Sequence, residues 1–503
     1  VSNELYYGDN LEIIRNHIKD ESVDLIYLDP PFNSNRDYNV IYDNALAQTK
    51  AFGDTWSQVS VKELRRMVYE QEQQRYSAIH SILDGLEIIL YNAQATDADK
   101  SMYAYLLNMG VRLVELHRVL KDTGSIYLHC DPTAGHYLKI LMDAIFGRKN
   151  FRNEIVWCYA SGGVSRKYFG KKHDIIFFYA KDKEKYFFNT QYRPYSEGTM
   201  QRGLTNYKKN LNEKYELKKE GATQNDWWSD ITPLLSPTSK ERLGYPTQKP
   251  VALLDRIIQA SCPQDGIVLD PYCGCGTTVA SASNLGRRWI GIDITYVSID
   301  LIQQRLIDNF YLGSEQNPTD AQKEKARMEF IKDTRIFGIP RDLESARKLA
   351  RETKGDYVRK EFEKWAAFSV GGVYSEKKGA DGGVDGYFYI YDINEQHKAL
   401  KKTCYIQVKS GKVGVKDIRD FDSTLSSLKA PIGIFVTLEE PTKPMLEYAK
   451  SLSSYQSNMG RIYDRITIIT IEQILQDDVP DFAVRVTKRA QSVQAIQDSL
   501  ELL

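Results

Sequence analysis

Apolar and polar positions follow two rhythms along this chain. Leu5-Tyr6-Tyr7 reads as a short strand, followed by Gly8-Asp9-Asn10 and a helical stretch through Ile18. Val23-Asp24-Leu25-Ile26-Tyr27-Leu28 is the kind of near-continuous apolar run that a buried strand shows. Residues from about 45 to 118 read as a helical insertion, and Val111-Arg112-Leu113-Val114-Glu115-Leu116 near its end keeps a helical period. A turn at Lys121-Asp122-Thr123-Gly124 leads into a strand at Ser125-Ile126-Tyr127-Leu128-His129-Cys130. Two more strands are expected at Glu154-Ile155-Val156-Trp157-Cys158-Tyr159 and Asp174-Ile175-Ile176-Phe177-Phe178-Tyr179. After a stretch of weak periodicity, a helix over 251–260 precedes the strand Gly266-Ile267-Val268-Leu269-Asp270, a glycine loop and a helix start. Trp289-Ile290-Gly291-Ile292-Asp293-Ile294 follows as a further strand. This alternation predicts an α/β domain over 1–312 with a mostly parallel sheet. Residues 313–345 read as a linker. A second α/β domain, 346–503, runs from a helix to a Gly-rich strand, then Tyr405-Ile406-Gln407-Val408-Lys409, a helix and Ile432-Gly433-Ile434-Phe435-Val436-Thr437. No internal repeat is found.

Composition narrows the class. With 42% hydrophobic and 27% charged residues in 503, the chain can bury sizeable cores. No apolar run approaches the ~18 residues of a membrane span, and the N-terminus Val1-Ser2-Asn3-Glu4 has neither a basic nor an apolar region, which predicts no secretory signal. Six cysteines without a repeated spacing fit a reducing cytosol, so a cytoplasmic protein is expected. Net charge is zero, so the informative quantity is local. Residues 160–240 interleave Arg166, Lys167, Lys171, Lys172, Lys208 and Lys209 with Tyr168, Phe169, Tyr192 and Tyr207. Cations can neutralise phosphates and rings can stack on bases, although a solvated surface carries the same residues.

Asp29-Pro30-Pro31-Phe32 stands at the end of the second strand. Proline fixes φ and has no N–H, and the residue before a proline is held extended, so the turn is rigid with unoccupied carbonyls. A planar amine could donate to Asp29 and to the Pro30 carbonyl while Phe32 stacks on its ring; taken alone, the tetrapeptide is equally a strand-ending turn. Downstream, Asp270 ends a strand, Gly274 and Gly276 permit close backbone approach, and Asp293 closes the next strand where a carboxylate can reach ribose hydroxyls. Cys273 and Cys275 do not continue the three-glycine dinucleotide pattern. An acidic loop repels phosphate and attracts the sulfonium and ammonium of S-adenosylmethionine. No Gly-x-x-x-x-Gly-Lys-Ser/Thr occurs, so no ATP-driven motor is expected in this chain.

Asp-Pro-Pro-Phe ahead of Asp270-Pro271-Tyr272-Cys273-Gly274-Cys275-Gly276-Thr277-Thr278, with Thr247-Gln248-Lys249-Pro250 just before, resembles the β class of amino-group DNA methyltransferases over roughly residues 3–310. The resemblance implies a Rossmann-like S-adenosylmethionine-dependent domain with a target-recognition region at about 160–240. It also implies a cofactor pocket lined by Asp9, Lys249, Asp270, Gly274, Gly276 and Asp293. The target base would leave the duplex stack. Asp29 and the Pro30 carbonyl would accept the two amine protons, with Pro31 and Phe32 completing the motif, and Asp29 would serve as general base or as an electrostatic partner. No Pro-Cys occurs, which excludes the cysteine nucleophile of cytosine-C5 enzymes. Asp29 with Phe32, rather than Ser-Pro-Pro-Tyr, tilts the resemblance to adenine N6 over cytosine N4.

In the last domain, Gly379-Ala380-Asp381-Gly382-Gly383-Val384-Asp385-Gly386 precedes a strand, and Gln407 and Lys409 share one face of the next. A carboxylate and an amide holding a divalent ion, with a lysine near the attacking water, suit phosphodiester hydrolysis, although an exposed hairpin shows the same alternation. Over about 350–440 this region resembles the Mrr-like branch of the PD-(D/E)xK restriction nucleases, in which glutamine replaces the middle acid. The resemblance implies Mg2+ at Asp385 and Gln407, with Lys409 and Glu363 completing the site. Together the readings predict an adenine-N6 DNA methyltransferase joined to a magnesium-dependent endonuclease acting on double-stranded DNA, with a homodimer left open. The alternatives are a methyltransferase for adenine N6 or cytosine N4 whose nuclease-like domain is inactive or only binds DNA, and an RNA or protein methyltransferase with a partner-binding tail.

Overall fold

The computed structural model describes residues 2–31, 37–41, 48–53, 58–92, 94–159, 166–204, 217–234, 241–243, 245, 248–312, 318–340, 343–351, 356–375, 383–393, 399–458, 460–476 and 478–480. Its larger sheet has nine strands: β1 (Asn3–Tyr7), β2 (Val23–Leu28), β3 (Leu120–Cys130), β4 (Phe151–Cys158), β5 (His173–Ala180), β6 (Trp227–Trp228), β7 (Ile267–Asp270), β8 (Arg288–Asp293) and β9 (Thr334–Phe337). Their spatial order is β6-β4-β5-β3-β2-β7-β8-β1-β9. From β3 through β9 every pairing is parallel, whereas β5 runs antiparallel to both β3 and β4. Val23, Leu25, Ile26, Tyr27 and Leu28 are buried on both faces, which is why β2 reads as a continuous apolar run rather than an alternating one. Helices cover the two faces. Asp97–Val119 and Ser77–Leu90 lie in one core with Ile26 and Leu28, and Val251–Ser261 lies in the other with Leu25 and Tyr27.

Three sequence expectations are met differently. The turn at Lys121–Gly124 is absorbed into β3 as an irregularity, because Val23 pairs with Leu120 and Leu25 with Ser125. The helical insertion opens on a hairpin of Asp37–Ile41 with Gln48–Gly53 before its helices begin. Residues 313–345 do more than link. Helix Asp320–Asp333 buries Ala326 and Phe330 in the sheet's core, and β9 then pairs with β1 as the last strand.

The smaller sheet has five strands, β10 (Val373–Tyr374), β11 (Gly386–Ile393), β12 (Ala399–Lys409), β13 (Gly433–Thr437) and β14 (Ile466–Thr470), in that spatial order. The pairings β10–β11 and β11–β12 are antiparallel, and those onward from β12 are parallel. Helix Asp356–Ser369 packs Phe362, Trp365 and Ala366 against Ile406 and Val408, and Val415–Ser427 covers the other face. Among the described residues no helix is long and apolar enough to cross a membrane.

Candidate active site

Parallel strands point their carboxyl ends the same way, so the order β2-β7-β8-β1 brings Asp29, Asp270, Asp293 and Asp9 to one edge of the sheet. Asp270 and Asp293 are the last residues of their strands, and Asp29 directly follows Leu28. Crowding of like charge has a consequence. Burial, with Asp29 and Asp293 adding to it, pushes the Asp270 carboxyl up to about 7 against hydrogen bonds from Thr278 and the Tyr272 N–H. Burial also raises Asp293, although Thr295 and Gly274 donate to it.

The one cation drawn onto Asp29 among the described residues comes from far along the chain. Lys249 Nζ donates to Asp29 Oδ2 at 2.5 Å, across 220 positions of sequence. Asp29 Oδ1 is buried and has no hydrogen-bond partner among the described residues. Lys249 is held extended by Pro250, the N-cap of helix Val251–Ser261, and Gln248 ties the incoming loop to Leu243 and Glu241. Pro30 is buried and Pro31 half-buried; Phe32 lies outside the described residues.

The glycine loop is fixed by Asp293, whose Oδ2 accepts from the Gly274 N–H and whose Oδ1 accepts from the Thr295 N–H, both at 2.9 Å. Gly276 has φ of +74°, and a Cβ there would meet Ile302 Cγ1 at 2.7 Å, so backbone and packing both demand glycine. Cys273 and Cys275 are buried, and burial pushes both thiols up, which leaves them as packing groups. Asp9 caps the helix Asn10–His17 through Oδ1 and accepts from Arg112 at 2.7 Å through Oδ2. Arg112 also donates to Asn10, which in turn donates to the Pro271 carbonyl, so the long helix Asp97–Val119 braces this edge.

A further group had no sequence signal of its own. His129 is fully buried, its Nδ1 2.8 Å from the Tyr27 hydroxyl and its Nε2 3.2 Å from Asp174. Tyr159 donates to the other Asp174 oxygen at 3.1 Å. Burial works to raise the Asp174 carboxyl, but His129, the charge of Lys249 and Tyr159 together hold it below the usual range. Each residue looks isolated in an apolar run, and only the antiparallel register of β3 with β5, Cys130 opposite Ile175, brings them together.

In the second domain the Asp385 N–H donates to the Ile406 carbonyl at 2.9 Å, and the Val408 N–H donates to Asp385 Oδ2 at 2.7 Å. Asp385 therefore stands beside Gln407. Gln407 is buried; its Nε2 donates to the Gly383 carbonyl at 2.7 Å, and its Oε1 has no hydrogen-bond partner among the described residues. Lys409 ends β12, and Glu363 lies on the helix that packs against it. A carboxylate beside an unpartnered buried amide oxygen is a hard oxygen set that fits Mg2+. No cluster of three or more His, Cys, Asp or Glu suited to a metal ion occurs among the described residues.

Residues 23–304, more than half of the chain, match the N6/N4 DNA methylase family. The chain belongs to that family. Residues 359–475 match a restriction endonuclease family of the Mrr type, so a DNA methylase domain is joined to an Mrr-like domain. The methylase domain is similar to the DNA adenine methyltransferase YhdJ of Escherichia coli (strain K12), 35% identical over 39% of this chain and 64% of that protein. It is also similar to the Type II methyltransferase M.BamHI of Bacillus amyloliquefaciens, 28% identical over 60% of this chain and 56% of that protein. The chain thus spans less than two thirds of the length of either relative. A solved M1.HpyAVI–SAM complex aligns at 19% identity and a TM-score of 0.33, covering 60% of this chain and 98% of that one.

Proposed function

We propose that the methylase domain transfers a methyl group from S-adenosylmethionine to adenine N6 at a specific site in double-stranded DNA. We propose further that the Mrr-like domain is a magnesium-dependent endonuclease, the two acting as a single-chain restriction–modification enzyme. The observation that carries the first half is the state of Asp29: one oxygen held by Lys249, the other buried at the carboxyl edge with no partner among the described residues. An extruded base amine offers two N–H donors, and Asp29 Oδ1 and the Pro30 carbonyl take them. Accepting both protons turns the nitrogen lone pair outward for attack, and Asp29 receives the proton released. When bound, S-adenosylmethionine supplies the electrophilic methyl group. Asp270 and Asp293 would face its positive charge and ribose, Gly274 and Gly276 would allow its close approach, and Lys249 and Asp9 would hold the pocket in shape. The printed name of the E. coli relative, an adenine methyltransferase, supports adenine over cytosine.

Labelled-methyl transfer to plasmid DNA tests this. Asp29→Ala should lose about a thousandfold or more, and retained transfer in that variant would sink the assignment. Sequencing the modified DNA reports base, atom and site together. For the second half, Asp385 and Gln407 would hold Mg2+, and Lys409 and Glu363 would orient water at the phosphate. Cutting should vanish with a chelator and in Lys409→Ala. A neutral Gln407 in place of an acid favours one other reading, a domain that binds DNA without cutting; it prevails if the intact protein cuts neither methylated nor unmethylated DNA.

A further inference from the structure

The hairpin joining β4 to β5 emerges where β3 ends at Cys130, on the same edge as Asp29. Its base is rigid. The Tyr159 N–H donates to the Lys172 carbonyl at 2.9 Å, and the Tyr159 hydroxyl is tied through Asp174 and His129 to Tyr27, two residues before Asp29. Among its described residues, two adjacent aromatic side chains stand in water. Phe169 is fully exposed, the most exposed large hydrophobic side chain among the described residues, and Tyr168 beside it is 67% exposed. Arg166, Lys167 and Lys171 around them are exposed as well. An aromatic side chain presents roughly 150–250 Å2 of surface, and two adjacent exposed rings, Tyr168 and Phe169, form a patch that marks a contact site for a partner rather than a singly exposed residue. Cations on both sides of the ring specify a polyanion as that partner.

We infer that Phe169 is the wedge that enters the DNA stack and fills the gap left by the extruded target base, with Arg166, Lys167 and Lys171 holding the flanking phosphates. This rests on the methyl-transfer reading. Removing a base from the stack costs a few kcal/mol, and an inserted apolar side chain recovers part of that. The chain from Tyr159 to Tyr27 ties the base of the hairpin beside Asp29, so that insertion and capture of the amine happen together.

The test uses the intact chain and two duplexes carrying the site found by sequencing DNA methylated by the wild type. In one the target base is paired; in the other it faces an abasic position and is already unstacked. Phe169→Ala touches no core residue. It should methylate the paired duplex about tenfold or more slowly, the unpaired one within about twofold of wild type, and Phe169→Trp should restore the paired rate. Equal rates of Phe169→Ala and wild type on paired DNA would overturn the wedge, as would an equal loss on both duplexes. If the wild type methylates no DNA, so that sequencing finds no site, the methyl-transfer reading fails and takes the wedge with it.

Discussion

Asp270 carries a pH signature that can be followed from its surroundings. Its folded carboxyl titrates at about 7 because it is buried beside Asp29 and Asp293, whereas an unfolded chain loses that proton near 4. Between those values the folded state binds the extra proton, so stability is highest below about 4 and falls as pH rises toward 7. The loss is on the order of 3 kcal/mol. Asp270→Asn should flatten that slope, measured as melting temperature against pH, and an unchanged slope would contradict the assignment. Ionised Asp270 is also what attracts a sulfonium, so S-adenosylmethionine affinity should rise through pH 7 in the wild type and stay level in Asp270→Asn. At this scale the sequence was readable wherever a residue ends a strand: Asp29, Asp270 and Asp293 all stand at the expected edge. The sequence points Lys249 to the pocket but not to Asp29 and carries no sign of the His129–Asp174 pair, because those pairings depend on strand order and register rather than on neighbours in the chain.

Among elements, buried strands announced themselves because β2, β5, β8 and β13 are nearly pure apolar runs, and each lies within a residue or two of its expected place. What escaped was the last strand, β9. Its Thr334-Arg335-Ile336-Phe337 is short, half charged or polar, and preceded by a highly charged helix, so it carries no strand rhythm of its own. Contacts make it part of the fold: Phe337 stacks on Tyr6 at 4.5 Å, and Phe330 is buried against the sheet. A chain ended at residue 312 would strip β1 to an open edge and empty the Phe330 site, a loss of about 3–5 kcal/mol or more. A chain ended at 340 should therefore unfold cooperatively at a higher denaturant midpoint than one ended at 312. Equal midpoints would return residues 313–345 to the role of a mere linker.

Across the whole molecule, an aromatic column joins the two sheets among the described residues. Tyr296 stacks on Tyr7 with ring centroids 3.8 Å apart, and Phe368 lies nearly parallel to it at 6.2 Å. Tyr7 ends β1 just before Asp9, while Tyr296 follows Thr295, whose hydroxyl donates to Asp293 at 3.0 Å. Phe368 belongs to the helix Asp356–Ser369 that bears Glu363, and Tyr296 itself sits in a core with Phe362 and Trp365. The column therefore runs from the carboxyl edge of the methylase sheet to the helix of the second domain. Stabilisation at the first end should reach the second only while the column is filled. In calorimetry of the wild type, S-adenosylmethionine should raise the unfolding temperature of the whole chain. Tyr296→Ala removes a ring from between two cores, with a cost of about 3–5 kcal/mol. Its endotherm should separate into two, only one of which the cofactor moves. If the ligand shifts both transitions equally in that variant, the domains communicate by some other contact and the column is packing alone.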